Sequence, residues 1–193
     1  MKTLLTLSLA LLCLNAKAQQ TEKFKLPLSS DSTIVYEKVI PLDSTYKSAI
    51  LYKAAKTWFV NNFKSSKAVI QSEDQINGRF LGKCYITGTG GLSYTVFIGD
   101  QCYFTIQIDI KDGKYRYRFY DFYGTGEALG SQLNINESRN YCMYLNDKIK
   151  GGFVGRDKMY KRLYSFYSIF DTQINSLITS LNTAMINSKK DDF

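Results

Sequence analysis

The sequence contains no histidine. Catalysis by a Ser-His-Asp or Cys-His arrangement is therefore excluded, as is a proton shuttle through histidine. The four cysteines show no C-x-x-C or other metal-ligand spacing, which a zinc site without histidine would need. We therefore predict no metal site and no cofactor.

Carboxylates are the catalytic groups that remain, and two pairs can be considered. Glu73 and Asp74 are sequence neighbours, and neighbours on a strand point to opposite sides. In the second pair, Asp109 and Asp121, the first member is predicted to face Arg116. That contact would hold Asp109 ionised and unsuited to act as a general acid near neutral pH. We predict no catalytic residue, and an enzyme that uses carboxylates alone stays a minor alternative.

The N-terminal segment carries an apolar run that is too short to span a bilayer. Lys2 precedes this run, Leu4 to Leu14, and Ala16-Lys17-Ala18 follows it as a cleavage pattern. We predict a signal peptide over residues 1–18 rather than an N-terminal core helix. Cys13 raises the alternative of a lipoprotein, but Leu12 is large where lipid-attachment signals have a small residue. The expected location is the periplasm or the extracellular space, with no transmembrane segment after processing.

Basic residues outnumber acidic ones, 25 to 17, and loss of the two lysines at positions 2 and 17 lowers the formal charge from +8 to +6. The lysines are scattered, which is typical of a solvated surface. Outside the cytoplasm the nearest anions are lipid phosphates, lipopolysaccharide and acidic glycans. We expect no nucleic acid partner, and a partner among envelope proteins, glycans or anionic lipid surfaces.

Three cysteines remain after processing, at Cys84, Cys102 and Cys142. An odd number allows at most one internal bridge. Cys84 and Cys102 share the parity of the apolar residues on their strands, so buried reduced thiols are favoured over a disulfide between them.

The clearest pattern is a β-hairpin over Gln101–Phe122, centred on Asp112-Gly113. This dipeptide favours a two-residue type I′ turn, which makes Lys111 face Lys114. The apolar side then pairs Ile110 with Tyr115, Ile108 with Tyr117, and Ile106 with Phe119. The other side pairs Asp109 with Arg116, Gln107 with Arg118, Thr105 with Tyr120, and Tyr103 with Phe122. A slip of one residue would place arginines among isoleucines, so the register is strongly specified.

The remaining elements follow from composition and period. We predict a strand over Thr33–Ile40, a helix from Asp43 or Ser44 to about Phe63, strands over Lys67–Gln71 and Arg79–Thr87 joined by an Asn77-Gly78 turn, a glycine turn in residues 88–91, a strand-like segment over Leu92–Ile98, and a short strand over Tyr141–Leu145. The first helix has a candidate inner face of Leu51, Ala54, Ala55, Trp58 and Phe59, which makes Trp58 a core residue rather than a ligand platform.

A long C-terminal helix is predicted over residues 156–187. Its apolar stripe is Leu163, Phe166, Phe170, Ile174, Leu177, Leu181 and Ala184. Such a stripe can pair with another chain as a coiled coil, but docking across the sheet is simpler because the hairpin isoleucines need a cover.

Together these elements predict an α+β fold with two layers. An antiparallel sheet of about five strands carries two helices on one face, in the order β-α-β-β-β-β-α. The domain organisation is a signal peptide at 1–18, a lead-in at 19–32, and one domain at 33–193 that includes an irregular connection at 124–155.

Several segments carry a family resemblance: the leader peptide, IVYEKVI, LYKAAKTWFVNNF, KAVIQSED, INGRFLGK and KDGKYRYRFYDF. Over about residues 33–122 the chain resembles a family of exported bacterial domains, domain of unknown function 4468, best known from Bacteroidota. The resemblance implies the fold of one TATA-box-binding-protein repeat (TBP-like). It supplies no catalytic residues. DNA binding does not follow from it, because function resides in sites rather than folds.

A sheet covered by helices on one face leaves the other face free. The predicted register places there Tyr103, Arg116, Arg118, Tyr120 and Phe122, and this combination of aromatics and arginines is typical of a binding surface. We interpret the protein as a non-enzymatic envelope module that binds through these residues. Two alternatives remain: these residues merely keep a sheet face soluble, or the protein is a structural component that oligomerises through its C-terminal helix.

Processing at the predicted site gives a first testable expectation. N-terminal sequencing of the protein from its native host should find Gln19 as the first residue, because cleavage follows the small residue Ala18. An unprocessed N-terminus, or recovery from the cytoplasm, would contradict the predicted export.

Overall fold

The computed structural model describes residues 26–63, 69–87, 101–125, 132–136, 139–140, 143–144 and 157–189. Its elements are β1 (Tyr36–Pro41), α1 (Ser48–Asn62), β2 (Ile70–Asp74), β3 (Arg79–Thr87), β4 (Gln101–Lys111), β5 (Lys114–Thr125), β6 (Gln132–Asn134) and α2 (Asp157–Asn187). This order confirms the predicted β-α-β-β-β-β-α arrangement and adds one short strand, β6. The predicted signal peptide, the glycine turn at 88–91 and the segment Leu92–Ile98 lie outside the described residues.

The strands form one antiparallel sheet in the order β1-β5-β4-β3-β2. The two strands of the predicted hairpin, β4 and β5, therefore lie near its centre. The short strand β6 pairs with the end of β5, from Tyr123 to Thr125. Strand β4 pairs along one edge of β5. Along the other edge, β1 pairs with the first half of β5, from Lys114 to Phe119, and β6 pairs with its end.

The hairpin turn confirms the predicted pairing of Lys111 with Lys114 but not the predicted turn type. Gly113 has a positive φ of 68°, whereas Asp112 does not, and a type I′ turn needs both. The turn is instead shaped by its contacts with the loop before α1. The carboxylate of Asp112 accepts a hydrogen bond from the Ser48 backbone N–H at 2.7 Å, and so caps α1. The Gly113 backbone donates to Tyr46 and accepts from Leu42.

The predicted register holds from the turn as far as Thr105, which faces Tyr120, and then shifts. Asp121 has a φ of 60° and forms a β-bulge, so that Tyr103 pairs with Tyr123. The prediction that Tyr103 pairs with Phe122 is therefore wrong. An extra residue in one strand exchanges the two faces for every residue beyond it.

The bulge moves Phe122 from the open face into the core, where it is only 3 % exposed. Its ring lies 5.0 Å from that of Phe170, 5.7 Å from Phe104 and 6.0 Å from Tyr36, measured between centroids. The prediction that Phe122 is an exposed binding residue is therefore wrong. Burial of a whole phenyl ring, about 1.5–3 kcal/mol, readily offsets the loss of one regular pairing.

Both helices pack on the same face of the sheet, as predicted. The hairpin residues of the apolar side are all buried there: Ile106, Ile108, Ile110, Tyr115, Tyr117 and Phe119. Five of the seven residues of the predicted stripe of α2 are buried with them, namely Leu163, Phe166, Phe170, Ile174 and Leu181, whereas Leu177 and Ala184 are only partly buried. Because this stripe is used within the chain, it is not available for a coiled coil. Among the described residues, no helix has the length and apolar character needed to cross a membrane.

Polar groups at the edge of this core fix the position of α2. The Tyr36 hydroxyl donates to Asp171 at 2.6 Å and the Tyr115 hydroxyl to Asn182 at 2.5 Å. Trp58 is buried, as predicted, and its indole N–H donates to the Ser180 hydroxyl at 3.1 Å. Each bond joins residues that are far apart in the sequence, so the helix is anchored along its length.

Several predicted boundaries and exposures are corrected. Helix α1 begins at Ser48 rather than near Asp43, whose carboxylate instead accepts a hydrogen bond from the Thr45 backbone N–H. Strand β2 begins at Ile70 rather than at Lys67. The described part of the predicted strand Tyr141–Leu145, Met143 and Tyr144, is helical. Thr105, expected on the open face, is only 5 % exposed.

Cys84 and Cys102 are buried free thiols, as favoured from the sequence, and Cys142 lies outside the described residues. Cys84 is opposite Phe104 and Cys102 is opposite Ile86, so the two thiols are diagonal neighbours. Diagonal positions are about 7–8 Å apart between α-carbons, beyond the usual reach of a disulfide. Burial raises the pKa of both thiols, which makes them poor nucleophiles.

Two substitutions of an apolar residue by aspartate should separate the two faces of the sheet. Ile108→Asp should lower the free energy of unfolding by more than about 4 kcal/mol, because it places an unpaired charge in the core. Val39→Asp should cost under about 1 kcal/mol, because Val39 is 53 % exposed on the opposite face of β1. Urea unfolding measures both. Similar losses in the two variants would mean that both faces are buried.

Candidate functional site

The outer face of the sheet is the face that points away from α1 and α2. Between the hairpin turn and the bulge, charged residues from β1, β5, β4 and β3 lie together on this face. Beyond the bulge, the face is formed by aromatic residues. Its principal residues are Glu37, Val39, Arg79, Lys83, Tyr85, Tyr103, Gln107, Asp109, Arg116, Arg118, Tyr120 and Tyr123. Four of the five predicted binding residues, Tyr103, Arg116, Arg118 and Tyr120, lie there.

Three tyrosines form a row across β3, β4 and β5, which we call the tyrosine row: Tyr85, Tyr103 and Tyr123. Tyr85 is opposite Tyr103, and Tyr103 is opposite Tyr123. The centroids of the first pair are 5.5 Å apart with an interplanar angle of 41°, and those of the second are 5.2 Å apart at 8°. These spacings are those of favourable aromatic pairs. Tyr85 is 50 % exposed, so the row faces solvent at one end.

Of the three tyrosines in this row, only Tyr103 was predicted from the sequence to lie on the open face. Tyr85 has the parity of the open face on its strand, so counting from Cys84 could have identified it. Tyr123 could not be found by counting, because it reaches the outer face only through the bulge at Asp121. The row therefore depends on the same irregularity that buries Phe122.

Beside the row, Arg118 stacks on Tyr120. The guanidinium carbon lies 4.5 Å from the ring centroid, within the range of a cation–π contact. The Arg118 Nε lies 3.4 Å from a carboxylate oxygen of Glu37, close enough for an ion pair but not aligned as a hydrogen bond. Within the described part of the chain, the two terminal nitrogens of Arg118 hold no acceptor.

Arg116, by contrast, is held in a charge network around Asp109. Its Nη2 and Nε donate to Asp109 Oδ2 at 2.6 and 3.1 Å, and its Nη1 donates to Glu37 at 3.4 Å. Asp109 Oδ1 accepts from Arg79 Nε at 2.6 Å, and its Oδ2 also accepts from Gln107 at 2.8 Å. Of the two predicted arginines, Arg118 therefore has the more available guanidinium: among the described residues Arg116 donates three hydrogen bonds and Arg118 donates none.

The network holds Asp109 ionised, as predicted from its pairing with Arg116. Partial burial by itself raises the pKa of Asp109, but the hydrogen bonds from Arg116, Arg79 and Gln107 outweigh it, and the pKa lies below the usual 3.8. Asp121 stands about four residues farther along the hairpin, roughly 13 Å away at 3.3 Å per residue. The two carboxylates are too far apart to work as an acid–base pair.

The second carboxylate pair is also divided. Glu73 accepts hydrogen bonds from the Tyr52 hydroxyl at 2.7 Å and from Lys56 at 2.8 Å, on the helix side. Asp74 instead holds the turn through the backbone and side-chain nitrogens of Asn77. Across the described ranges, no cluster of three carboxylate or thiol side chains is arranged to hold a metal ion.

Comparison with known families gives a match over the sheet and the first helix. The family model described as "Domain of unknown function (DUF4468) with TBP-like fold" matches residues 36–124. Residues 36–124 are a DUF4468 domain. The match includes β1, α1 and β2 to β4 with nearly all of β5, and so every residue of the outer face named above lies within the DUF4468 domain.

Two solved structures share this architecture. A DUF4468 family protein from Bacteroides ovatus superposes with a TM-score of 0.56 at 12 % identity, covering 83 % of this chain and 90 % of that one. A TBP-like protein from Parabacteroides distasonis superposes with a TM-score of 0.52 at 8 % identity, covering 81 % and 96 %. At such identities the likeness shows the TBP-like fold alone. No curated protein matches the sequence.

The charge network predicts a specific dependence of stability on pH. Because the pKa of Asp109 is lowered on folding, its contribution is present above the usual carboxylate pKa and is lost as pH falls through the folded value. Asp109→Asn should therefore cost about 1–3 kcal/mol at neutral pH, the worth of hydrogen bonds to charged groups. The cost should shrink toward zero in acid.

Urea unfolding of the wild type and of Asp109→Asn, at several pH values from about 7 to about 2, measures how the difference in their free energies of unfolding changes with pH. Arg79→Ala is the matched control, since it removes one partner and leaves the contacts from Arg116. Its cost should be smaller at neutral pH. A cost of Asp109→Asn that is constant over the whole pH range would contradict the network.

Proposed function

We propose that the protein is an exported, non-enzymatic module of the cell envelope that binds a protein, a glycan or an anionic envelope component through the outer face of its sheet. The observation that carries this proposal is the tyrosine row, flanked by Arg118 on Tyr120. The predicted signal peptide supports an envelope partner.

The tyrosine row has the physical properties of a binding surface. Tyrosine and arginine are enriched among the residues that dominate the free energy of association. Rings held on three adjacent strands are fixed before a partner arrives, so little conformational entropy is lost on binding. Each ring also offers apolar area and a hydroxyl, which suits partners that are partly polar. A face that served only solubility would need none of these features.

Arg118 adds a means of recognising anions. Its stacking on Tyr120 orients the guanidinium, while the terminal nitrogens remain available within the described residues. A guanidinium can donate two parallel hydrogen bonds to a carboxylate or a phosphate group. The outer face also carries Glu37 and Asp109 among its arginines, and this mixture of signs favours a local contact with one anionic group over wrapping of a polyanion such as DNA.

The proposal is tested by capture of envelope components on immobilised protein, with single variants. Tyr85→Ala removes the most exposed ring of the row, and Arg118→Ala removes the available guanidinium. Each should lower capture several-fold and leave the thermal midpoint within a few degrees. Lys53→Ala, which removes an exposed charge on α1, is the matched control and should have no effect.

Salt provides a second readout. Capture that uses Arg118 should weaken as ionic strength rises, because exposed charges are screened over about 10 Å at roughly 0.1 M salt. Capture by Arg118→Ala should depend on salt less steeply. Arg116 is not used for this test, because its loss would break the contacts with Asp109 and Glu37. Equal capture by the wild type and both variants would reject the outer face as the binding surface.

A further inference from the structure

A second feature of the outer face lies at its other end, next to the hairpin turn. There the ends of β4 and β5, β1 and the β2–β3 turn surround an open cavity of about 340 Å³. Four cationic side chains line it: Arg79, Lys111, Lys114 and Arg116. We call these four residues the basic cluster. The only carboxylate among the lining residues is that of Asp109.

The charges of the basic cluster are not balanced. Four cations and one carboxylate give the lining a formal charge of +3, and Glu37, which pairs with Arg116 from outside the lining, offsets one of these charges. Asp109 already accepts hydrogen bonds from Arg79 and Arg116 on both oxygens. In the described part of the chain, Lys111 and Lys114 form no ion pair, although they face each other directly across the hairpin. Like charges in that position are destabilising unless something neutralises them.

Two side chains of the basic cluster, Arg79 and Arg116, are held in place by hydrogen bonds before any ligand binds. Arg116 is held by Asp109 and Glu37, and Asp109 in turn holds Arg79 through its Nε at 2.6 Å. The terminal nitrogens of Arg79 bind no acceptor among the described residues. Three donor groups, two ammonium and one guanidinium, therefore surround a space whose one lining carboxylate, Asp109, is already shared by Arg79 and Arg116.

We propose that the basic cluster binds a phosphomonoester. A phosphomonoester carries about −1.5 to −2 charges and three strong acceptor oxygens, which matches three donor groups. A carboxylate has one charge and two oxygens, and would leave one donor unmatched. The volume of about 340 Å³ is at the lower end of the roughly 300–1,000 Å³ typical of small-molecule sites. It accommodates a phosphate group with a small attached alcohol or sugar.

This site is separate from the tyrosine row. The cross-strand partners of the two sites, Asp109 opposite Arg116 and Tyr103 opposite Tyr123, are six residues apart on β4, or roughly 20 Å at 3.3 Å per residue. The inference rests on the contacts of the basic cluster alone. Failure of either proposal leaves the other standing, because the two are tested with different variants.

The phosphomonoester can belong to a soluble compound or to a lipid headgroup, and two probes distinguish these sources. Glycerol 3-phosphate, titrated by calorimetry, represents the soluble source. Vesicles that contain phosphatidic acid represent the lipid source, and vesicles with phosphatidylglycerol, a phosphodiester, are their matched control. Saturable binding is expected for at least one phosphomonoester probe, and the tighter of the two identifies the source.

Lys111→Glu is the decisive variant. It replaces the repulsion between Lys111 and Lys114 with a cross-strand ion pair, so the thermal midpoint should stay equal or rise. Binding of the phosphomonoester should nevertheless weaken by about tenfold or more, because a donor is lost and a like charge is introduced. Lys53→Glu makes the same charge change on α1 and should bind as the wild type does.

Loss of binding together with retained stability would assign the phosphate site to the basic cluster. Three results would overturn the proposal: no saturable binding of either phosphomonoester probe, equal binding of phosphatidylglycerol vesicles, or equal weakening by Lys111→Glu and Lys53→Glu. The last two would mean that net charge alone attracts the anion.

Discussion

The structure depends on the register between β4 and β5. That register places the isoleucines of β4 and the aromatic residues of β5 beneath the helices, and the charged residues of both strands on the outer face. The other elements are arranged around this pair: β3 lies on one side and carries β2 at its far edge, β1 and β6 lie on the other side, and both helices cover the buried face. Displacement by a single residue would move arginines into the core, a cost of several kcal/mol for each unpaired charge.

The bulge at Asp121 links the core to the outer face. Its extra residue lets Phe122 turn inward against Phe170 and lets Tyr123 turn outward onto Tyr103. A regular hairpin would exchange these two residues, placing a phenyl ring in solvent and a tyrosine hydroxyl in the apolar core. Packing of the core and composition of the tyrosine row are thus set by one backbone irregularity.

The parts of the fold that could be predicted are those decided locally. Alternation around Asp112-Gly113 was enough for seven cross-strand pairs, and the period of α2 was enough for five of the seven residues predicted in its buried stripe. The bulge could not be predicted, because its stabilisation comes from Tyr36 and Phe170, which are distant in sequence. The start of α1 was misplaced for a similar reason, since its cap is Asp112 in the hairpin turn. The contacts of Glu37 with both Arg116 and Arg118 could not be predicted either, because they depend on the pairing of β1 with β5.

The anchoring of α2 has a consequence for the order of folding. Its bonds reach back more than a hundred residues, from Asp171 to Tyr36, from Ser180 to Trp58 and from the Ile186 carbonyl to Tyr46. Contacts of such long sequence separation slow folding, because a large loop must close before they form. Until α2 is available, the apolar face of the sheet is covered only in part, by α1. A chain shortened within α2 would expose that face and aggregate, whereas a chain crossing a membrane would stay unfolded until its C-terminus had followed.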